Sequence, residues 1–292
     1  MTLVTERARA KINLTLSILG RRPDGYHALL SLVAFASAAD EITLDAESPT
    51  GVTVIGPFAA AISGANLIDT ALNLVTDAVP DLTVGHVTLA KNLPVASGVG
   101  GGSSDAAAVL RAIRKAHPAA TAHLDWSSIA RRLGADVPVC LADRAAWMTG
   151  AGETLHPLDT LLPRLDAVLV NPQAPVPADK TARVFRALGA PTLTASDASV
   201  PSAIPAIPDR AELLALLSRM GNDLEAPATA VVPEIEEVIA ALEACPGAHE
   251  TRLSGAGPTC FSVFDDAASA QAAVAALKAA HPAWWIAPVF IG

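Results

Sequence analysis

Cysteine, positive charge and long apolar runs are all in short supply in this chain, and each shortage excludes something. The three cysteines, Cys140, Cys245 and Cys260, lie far apart and in odd number. That excludes a disulfide framework and fits a reduced, cytoplasmic chain. The seven histidines form neither an HExxH motif nor a Cys/His pairing, so no structural metal site is expected. Lys and Arg number 20 against 29 Asp and Glu, a formal net charge of −9. That balance argues against general affinity for a nucleic-acid backbone or an anionic membrane. No apolar run reaches membrane-spanning length without interruption. The amino-terminal stretch alternates apolar with polar residues and holds Lys11 and Asn13, unlike a signal peptide. Aromatics make up 4% of the residues, with a single tyrosine, Tyr26, so the core is expected to pack small side chains. What is plentiful is apolar: 51% of 292 residues, enough for one large domain or two ordinary ones.

From Arg7 to Leu19 apolar and polar residues alternate strictly. Ala8, Ala10, Ile12, Leu14, Leu16 and Ile18 share one face, and Lys11 and Asn13 the other. This predicts one half-buried strand with a polar face. "RRPDGYH" is a turn by composition. Separate strands are expected at "SLVAFAS", "DEITLDA" and "GVTVIG", a helix at "NLIDTALNLVTDAV" and a strand at "GHVTLAKNLP". Residues 103–117 read as a helix, and "DWSSIARRLG" as another between an Asp125 cap and a Gly134 stop. "AAWMTGAGE" and "LDAVLVNP" read as strands, and residues 189–208, rich in Pro, Ser and Ala, as a surface loop or insertion. Helices at "DRAELLALLSRMG" and "PEIEEVIAALEACPG" follow. The tail runs strand, "GAGP" loop, strand, helix over 267–280, strand. A strand-rich front half and an alternating back half predict an α+β chain in two lobes, with a boundary near 150–165.

The densest signal is "KNLPVASGVGGGSSDAAAVLRAIRKA", with four glycines in five positions before an alanine-rich helix. Glycine loses more entropy on folding than any other residue, so the cluster calls for a geometric reason. Ser103, Ser104 and Asp105 fall where an N-cap and first turn are expected. A helix start offers unpaired N–H groups and partial positive charge, and glycines let backbone wrap closely around an anion. Phosphate binding is one reading; a flexible loop before a capped helix is the other. The P-loop pattern fails, because no Lys-Ser or Lys-Thr follows the glycines. The dinucleotide pattern lacks its third glycine, where Ser103 stands, and its acidic residue at the end of a second strand. The protein-kinase HRD and DFG signatures are missing as well.

"PVASGVGGGSSDAAA" resembles the ATP-phosphate loop of the GHMP kinases, the superfamily of galactokinase, homoserine kinase and mevalonate kinase. The opening "ARAKINLTLSILGRRPDGYHALLSLV" resembles the first motif of one of its families, the 4-diphosphocytidyl-2-C-methylerythritol kinases. "GADVPVCL", "GNDLE" and "LSGAGPTCFSVF" follow in that family's order. Departures are small: Ser97 replaces a common glycine or alanine, Val99 a usual leucine, and Ala256 a frequent hydroxyl residue. The resemblance implies a two-lobed GHMP kinase fold, with a strand-rich lobe over 1–158 and a ferredoxin-like lobe over 159–292.

It also implies ATP-dependent phosphorylation of the C2 hydroxyl of 4-diphosphocytidyl-2-C-methylerythritol, a step of non-mevalonate isoprenoid biosynthesis. A tertiary alcohol is a hindered nucleophile of very high pKa, so the enzyme must align it, help remove its proton and stabilise the transferring phosphoryl group. Carried over residue by residue, Asp136 becomes the base and Lys11 its cationic partner beside the hydroxyl; on their own they read as a turn aspartate and a solvated lysine. Pro94, Ser97, Gly98, Val99, Gly100, Gly101, Gly102, Ser103 and Ser104 are implied to hold ATP phosphates, and Asn66 the adenine, although Asn66 reads equally as a helix cap. Asn13 and Thr181 are implied to hold the substrate, Tyr26 and His27 to clamp its cytosine, and the Ser254–Gly257 loop, with Gly255 and Gly257, to close over substrate or phosphates. Mg²⁺ is expected on ATP oxygens and water, with Ser104 as a further ligand. The partners are thus ATP and a small cytidine-diphosphate alcohol. A homoserine- or mevalonate-type kinase and a non-catalytic nucleotide-binding module remain the alternatives.

Overall fold

The computed structural model describes residues 2–62, 66–193, 204–207 and 209–292. They form two compact units, each built from several segments, and the chain passes between them after Lys11, Ser37, Val95, Val99 and Arg144. The expected insertion at 189–208 falls largely outside the described residues.

The first unit comprises residues 1–11, 38–95 and 100–144. It holds most of strand β1 (Leu3–Asn13) and the end of the long β3 (His27–Asp45), with β4 (Gly51–Ile55) and β5 (His86–Ala90). β5 pairs antiparallel with Glu41–Asp45 and parallel with β4. Helices α1 (Leu67–Ala78), α2 (Gly101–Ala116), α3 (Trp126–Leu133) and α4 (Val137–Ala142) complete the unit. α2 is enclosed: every residue from Ser104 to Ile113 is buried. An enclosed helix must find partners for its polar residues, and those partners fix its position. Asp105 meets Lys91, whose Nζ lies 2.6 Å from Asp105 Oδ2 and 2.5 Å from Asp40 Oδ2. Asp40 Oδ1 accepts the N–H groups of Asn92 at 2.6 Å and Leu93 at 2.8 Å, fixing where the chain leaves β5. Burial pushes the Asp105 carboxyl above the usual range, with Asp40 adding to the rise and Lys91 opposing it. Arg111 is buried too, and donates to Glu6 Oε2 at 2.9 Å, Cys140 O at 2.6 Å and Arg7 O at 2.7 Å. One guanidinium thereby ties α2 to β1 and α4.

The second unit comprises residues 12–37, 96–99 and 145–292. β2 (Ser17–Arg21) and the start of β3 form a hairpin around the Arg22–Tyr26 turn, and β3 pairs onward with β6 (Ala146–Gly150), which pairs with β7 (Thr154–Pro157). Then come β8 (Leu165–Asn171), α5 (Lys180–Leu188), α6 (Arg210–Arg219), α7 (Glu225–Val231), α8 (Glu234–Glu243), β9 (Ala248–Leu253), β10 (Cys260–Phe264), α9 (Ala267–Ala280) and β11 (Trp285–Ile291). Their sheet runs β11-β8-β10-β9 and is antiparallel throughout. That is the ferredoxin-like order expected for this lobe. Val168, Val170, Val238, Leu242, Phe264 and Val274 are among the residues of its core.

Two of the strands differ from expectation. The alternating strand does not reach Leu19: β1 ends at Asn13, and β2 begins at Ser17. Nor is its polar face open, since Lys11 is 4% and Asn13 5% exposed. The stretches "SLVAFAS" and "DEITLDA" are one strand, β3, rather than two. The polar residues between them look like a break in the sequence, but Asp40 is neutralised by Lys91 and the strand continues.

Candidate functional site

In the first unit, Lys11 near the end of β1 faces Asp136 at the start of α4, with Nζ and Oδ2 2.9 Å apart. Asp136 occupies the N-cap position yet its side chain caps nothing. Its carboxylate turns to the lysine instead. The lysine side chain is 6% exposed and the carboxylate 38%, so the pair is anchored inside and open on the acidic side. Its placement depends on the far end of α4. There Arg111 holds the Cys140 carbonyl. Arg9 grips Asp143, the residue after α4, with Nε 3.0 Å from Oδ1 and a second bond to its carbonyl at 2.6 Å. Both arginines come from elements that also bound Lys11 or the start of α2, so pair and helix are set by one framework.

α2 begins at Gly101, two residues before the expected start, and its N-cap is Gly100, in the left-handed region at φ 65° with no side-chain cap. Ser103 and Ser104 therefore lie inside the first turn instead of capping it. The glycines matter for what they leave free. A Cβ on Gly100 would stand 3.1–3.6 Å from the Lys11 side chain, and one on Gly101 3.1 Å from Lys91 Nζ. Two lysines thus flank a helix start whose first N–H groups have no partner within the helix, an arrangement suited to an anion.

Ser104 is turned into the fold. It is 2% exposed, its hydroxyl donates to Arg9 O at 2.8 Å, and Cys140 Sγ lies 3.4 Å away. Burial, with Asp136 nearby, pushes the Cys140 thiol up to about 12, so it carries no charge at neutral pH. Among the described residues, no group of three or more His, Cys, Asp or Glu side chains converges on a metal position. Asn66 forms a capping box at α1, accepting the Ile68 and Asp69 N–H groups while Asp69 accepts that of Asn66. Pro94 and Val99 are buried.

In the second unit, Tyr26 stands 65% exposed on a turn tightened by Gly25 at φ 90°. The turn is held by Arg22, whose guanidinium bridges Asp24 at 2.7 Å and Glu153 at 3.1 Å. Asp24 in turn accepts the Tyr26 N–H at 3.1 Å. His27 stacks on Phe185 of α5, ring centroids 4.6 Å apart at 28°. Burial, aided by the Arg21 charge, pulls the His27 imidazole below its ordinary range, leaving a neutral ring with one donor and one acceptor. Phe185 was not among the sequence candidates; its signal is its place one turn after Thr181 on α5.

Asn13 donates from Nδ2 to Ser31 Oγ at 2.8 Å, while its Oδ1 is buried with no partner. That oxygen faces the 254–257 loop, 3.3 Å from where a Cβ on Gly255 would stand. An orphan acceptor at such depth suits a ligand hydroxyl. Residues 96–99 pack against the same loop: Ser254 Oγ donates to Gly98 O at 3.1 Å and Thr259 N to Ser97 O at 3.0 Å.

The chain is similar to known proteins along its whole length. The family model "GHMP kinases N terminal domain" matches residues 66–144, and "GHMP kinases C terminal" residues 203–283. The 4-diphosphocytidyl-2-C-methyl-D-erythritol kinase of Methylobacterium radiotolerans is 49% identical, with all of both chains covered. That of Rhodopseudomonas palustris is also 49% identical, over 98% of this chain and 96% of its own. A solved structure of a 4-(cytidine 5'-diphospho)-2C-methyl-D-erythritol kinase is 35% identical, with a TM-score of 0.76 over 99% of this chain and 100% of its own. The chain belongs to the 4-diphosphocytidyl-2-C-methyl-D-erythritol kinase family, small-molecule kinases of the GHMP type.

Proposed function

We propose that this chain transfers the γ-phosphate of ATP to the C2 hydroxyl of 4-diphosphocytidyl-2-C-methyl-D-erythritol. The observation that carries the reading is the Lys11–Asp136 pair, 2.9 Å apart, with the Lys11 stem packed under Gly100 at the start of α2. The Asp136 carboxylate accepts the hydroxyl proton as the oxygen attacks. The Lys11 ammonium orients that carboxylate and stabilises negative charge on the transferring group. The phosphates lie on the backbone of residues 97–104, at the unpaired N–H groups of α2. No covalent intermediate is needed, because alignment and electrostatics lower the barrier of phosphoryl transfer. Mg²⁺ would be held by ATP oxygens and water, with Ser104 Oγ as a further ligand through the lone pairs that its donated bond leaves free, and no step is assigned to it.

Tyr26 stacks on the cytosine, neutral His27 hydrogen-bonds its polar edge, and Phe185 backs the imidazole. The orphan Oδ1 of Asn13 accepts from a hydroxyl of the sugar alcohol, and Thr181 and the Gly255–Gly257 backbone complete the substrate contacts. Asn66 serves the adenine end through the same residue that caps α1. The two family models, ending at 144 and beginning at 203, leave the lobe boundary in the interval between them, where the proposed 158/159 division falls. The product enters non-mevalonate isoprenoid precursor synthesis, and with two charged, water-soluble substrates the reaction is cytoplasmic.

ADP release measured with the cytidine substrate, homoserine and mevalonate in parallel tests the reading. Turnover on the cytidine substrate alone is expected; equal or greater turnover on either of the others would refute it. Tyr26→Ala should raise KM for the cytidine substrate by roughly 10- to 100-fold, the worth of one base–aromatic stack, with kcat little changed. A drop in kcat with KM intact would remove Tyr26 from base recognition.

A further inference from the structure

Lys180, the first residue of α5, is 5% exposed, and its ammonium meets no carboxylate among the described residues. It donates instead to two backbone carbonyls, Ala96 O at 3.0 Å and Gly257 O. A buried cation without a counter-charge is costly, and here burial alone pulls its pKa down to about 8. Asn222, the asparagine of "GNDLE", does similar work on the same loop. Its Nδ2 donates to Leu253 O at 2.9 Å and Gly255 O at 2.8 Å, while its Oδ1 accepts Leu224 N–H at 2.9 Å. Two side chains thus draw back the carbonyls of Ala96, Leu253, Gly255 and Gly257.

A trans peptide holds its C=O and N–H on opposite sides. Drawing back the Ala96 carbonyl turns the Ser97 N–H the other way, and drawing back that of Gly255 does the same for Ala256 N–H. Neither N–H has a hydrogen-bond partner among the described residues. Ala96 also sits at φ 53°, a left-handed conformation that a non-glycine residue adopts at a cost. Strain of that kind persists where the surrounding structure holds it, and the Lys180 bond to the Ala96 carbonyl is one such constraint.

We propose that Lys180 and Asn222 are positioning residues that aim the backbone amides of Ser97 and Ala256 at a phosphoryl anion of a bound substrate. The inference rests on the kinase reading above and goes beyond it, since neither residue need touch the substrate. Ala256 stands where a hydroxyl side chain is frequent in the family, and an amide aimed in this way does not depend on that hydroxyl. The anion is a phosphate of ATP or the diphosphate of the cytidine substrate.

Calorimetric titration of the full chain with a non-hydrolysable ATP analogue and, separately, with cytidine diphosphate tests the proposal in the native protein, Lys180→Met, Lys180→Arg and Asn222→Asp. Lys180→Met should weaken one of the two ligands by on the order of 10-fold, the worth of lost charge-directed hydrogen bonds, and leave the other within about twofold. Lys180→Arg should restore most of the loss. Asn222→Asp, which keeps the bond to Leu224 and loses both donors, should weaken the same ligand and carries the test if Lys180→Met does not fold. A selective loss supports the proposal and says whose phosphate is held. Unchanged affinities, or equal losses on both ligands alongside a lower Tm, would overturn it. A native protein that binds neither ligand would overturn the kinase reading and this proposal with it, a result separate from failure of the variants alone.

Discussion

Asp136→Asn should lower kcat by roughly two to four orders of magnitude, the usual range for a general acid–base group. The substitution keeps the shape of the side chain and removes its charge and basicity. Asp136 makes no helix-capping bond that the change would break, and with the side chain 38% exposed the fold should tolerate it. Tm should therefore stay within a few degrees of the native value, and KM for ATP within about threefold. That pattern separates a lost transition-state contact from lost binding. Lys11, left beside a neutral amide, still supplies its charge, so residual turnover above background is expected. An unchanged kcat would remove Asp136 from the chemistry.

The second large effect is steric. Gly98 lies at φ 81°, and a Cβ there would stand 2.5 Å from Ser254 O and 2.8 Å from both N and O of Gly257. All three are backbone atoms, so no flexible side chain can yield. Gly98→Ala should force residues 96–99 away from the 254–257 loop, cost roughly 2–4 kcal/mol and raise KM for ATP by at least about 10-fold, as misplaced phosphate contacts would. Gly189→Ala is the matched control. Gly189 has φ 61° but nothing within 4 Å of an added Cβ, so it carries the conformational penalty without the clash. The difference in Tm between the two variants measures the clash. If both lose the same stability and ATP kinetics are native, the close approach at Gly98 plays no part in nucleotide binding.

Much of the architecture was legible in the sequence because it is written locally. The helix from Asp125 to Gly134 has its cap and stop where the residues place them, with Asp125 accepting Ser128 N–H. From β8 onward, periodicity predicts β8, α6, α8, β9, β10, α9 and β11 in their observed order, but neither α5 nor α7. What periodicity misread was burial. Lys11 and Asn13 sit on the polar face of an alternating strand, which ordinarily faces water. Here Gly100 lies over one, while Ser31 and Ser254 bond the other. The start of α2 was misplaced for a related reason. Ser-Ser-Asp is a strong capping signal, but glycine also opens helices, and the chain uses Gly100 at φ 65°, where a Cβ would press on the Lys11 side chain at 3.1 Å.

The chemistry was legible only in part. Lys11, Asp136, Tyr26 and His27 stand out through motif resemblance, yet nothing local says that Lys11 and Asp136 meet. Lys91, Arg111 and Lys180 would each be assigned to a solvated face by charge alone. Their roles come from burial and from partners distant in sequence, such as Asp40, Glu6 and Gly257. Phe185 is one apolar residue in an amphipathic helix until the fold brings His27 against it.

The most direct test of the central claim is product identity. Native protein and Asp136→Asn would each be incubated with ATP, Mg²⁺ and 4-diphosphocytidyl-2-C-methyl-D-erythritol, and the reaction followed by ³¹P NMR. The Lys11–Asp136 account predicts a new phosphomonoester resonance growing with ADP in the native sample, with the cytidine diphosphate signals retained, and growth slower by at least about 100-fold in the variant. No new phosphomonoester from the native protein, or one formed at the native rate by Asp136→Asn, would contradict it.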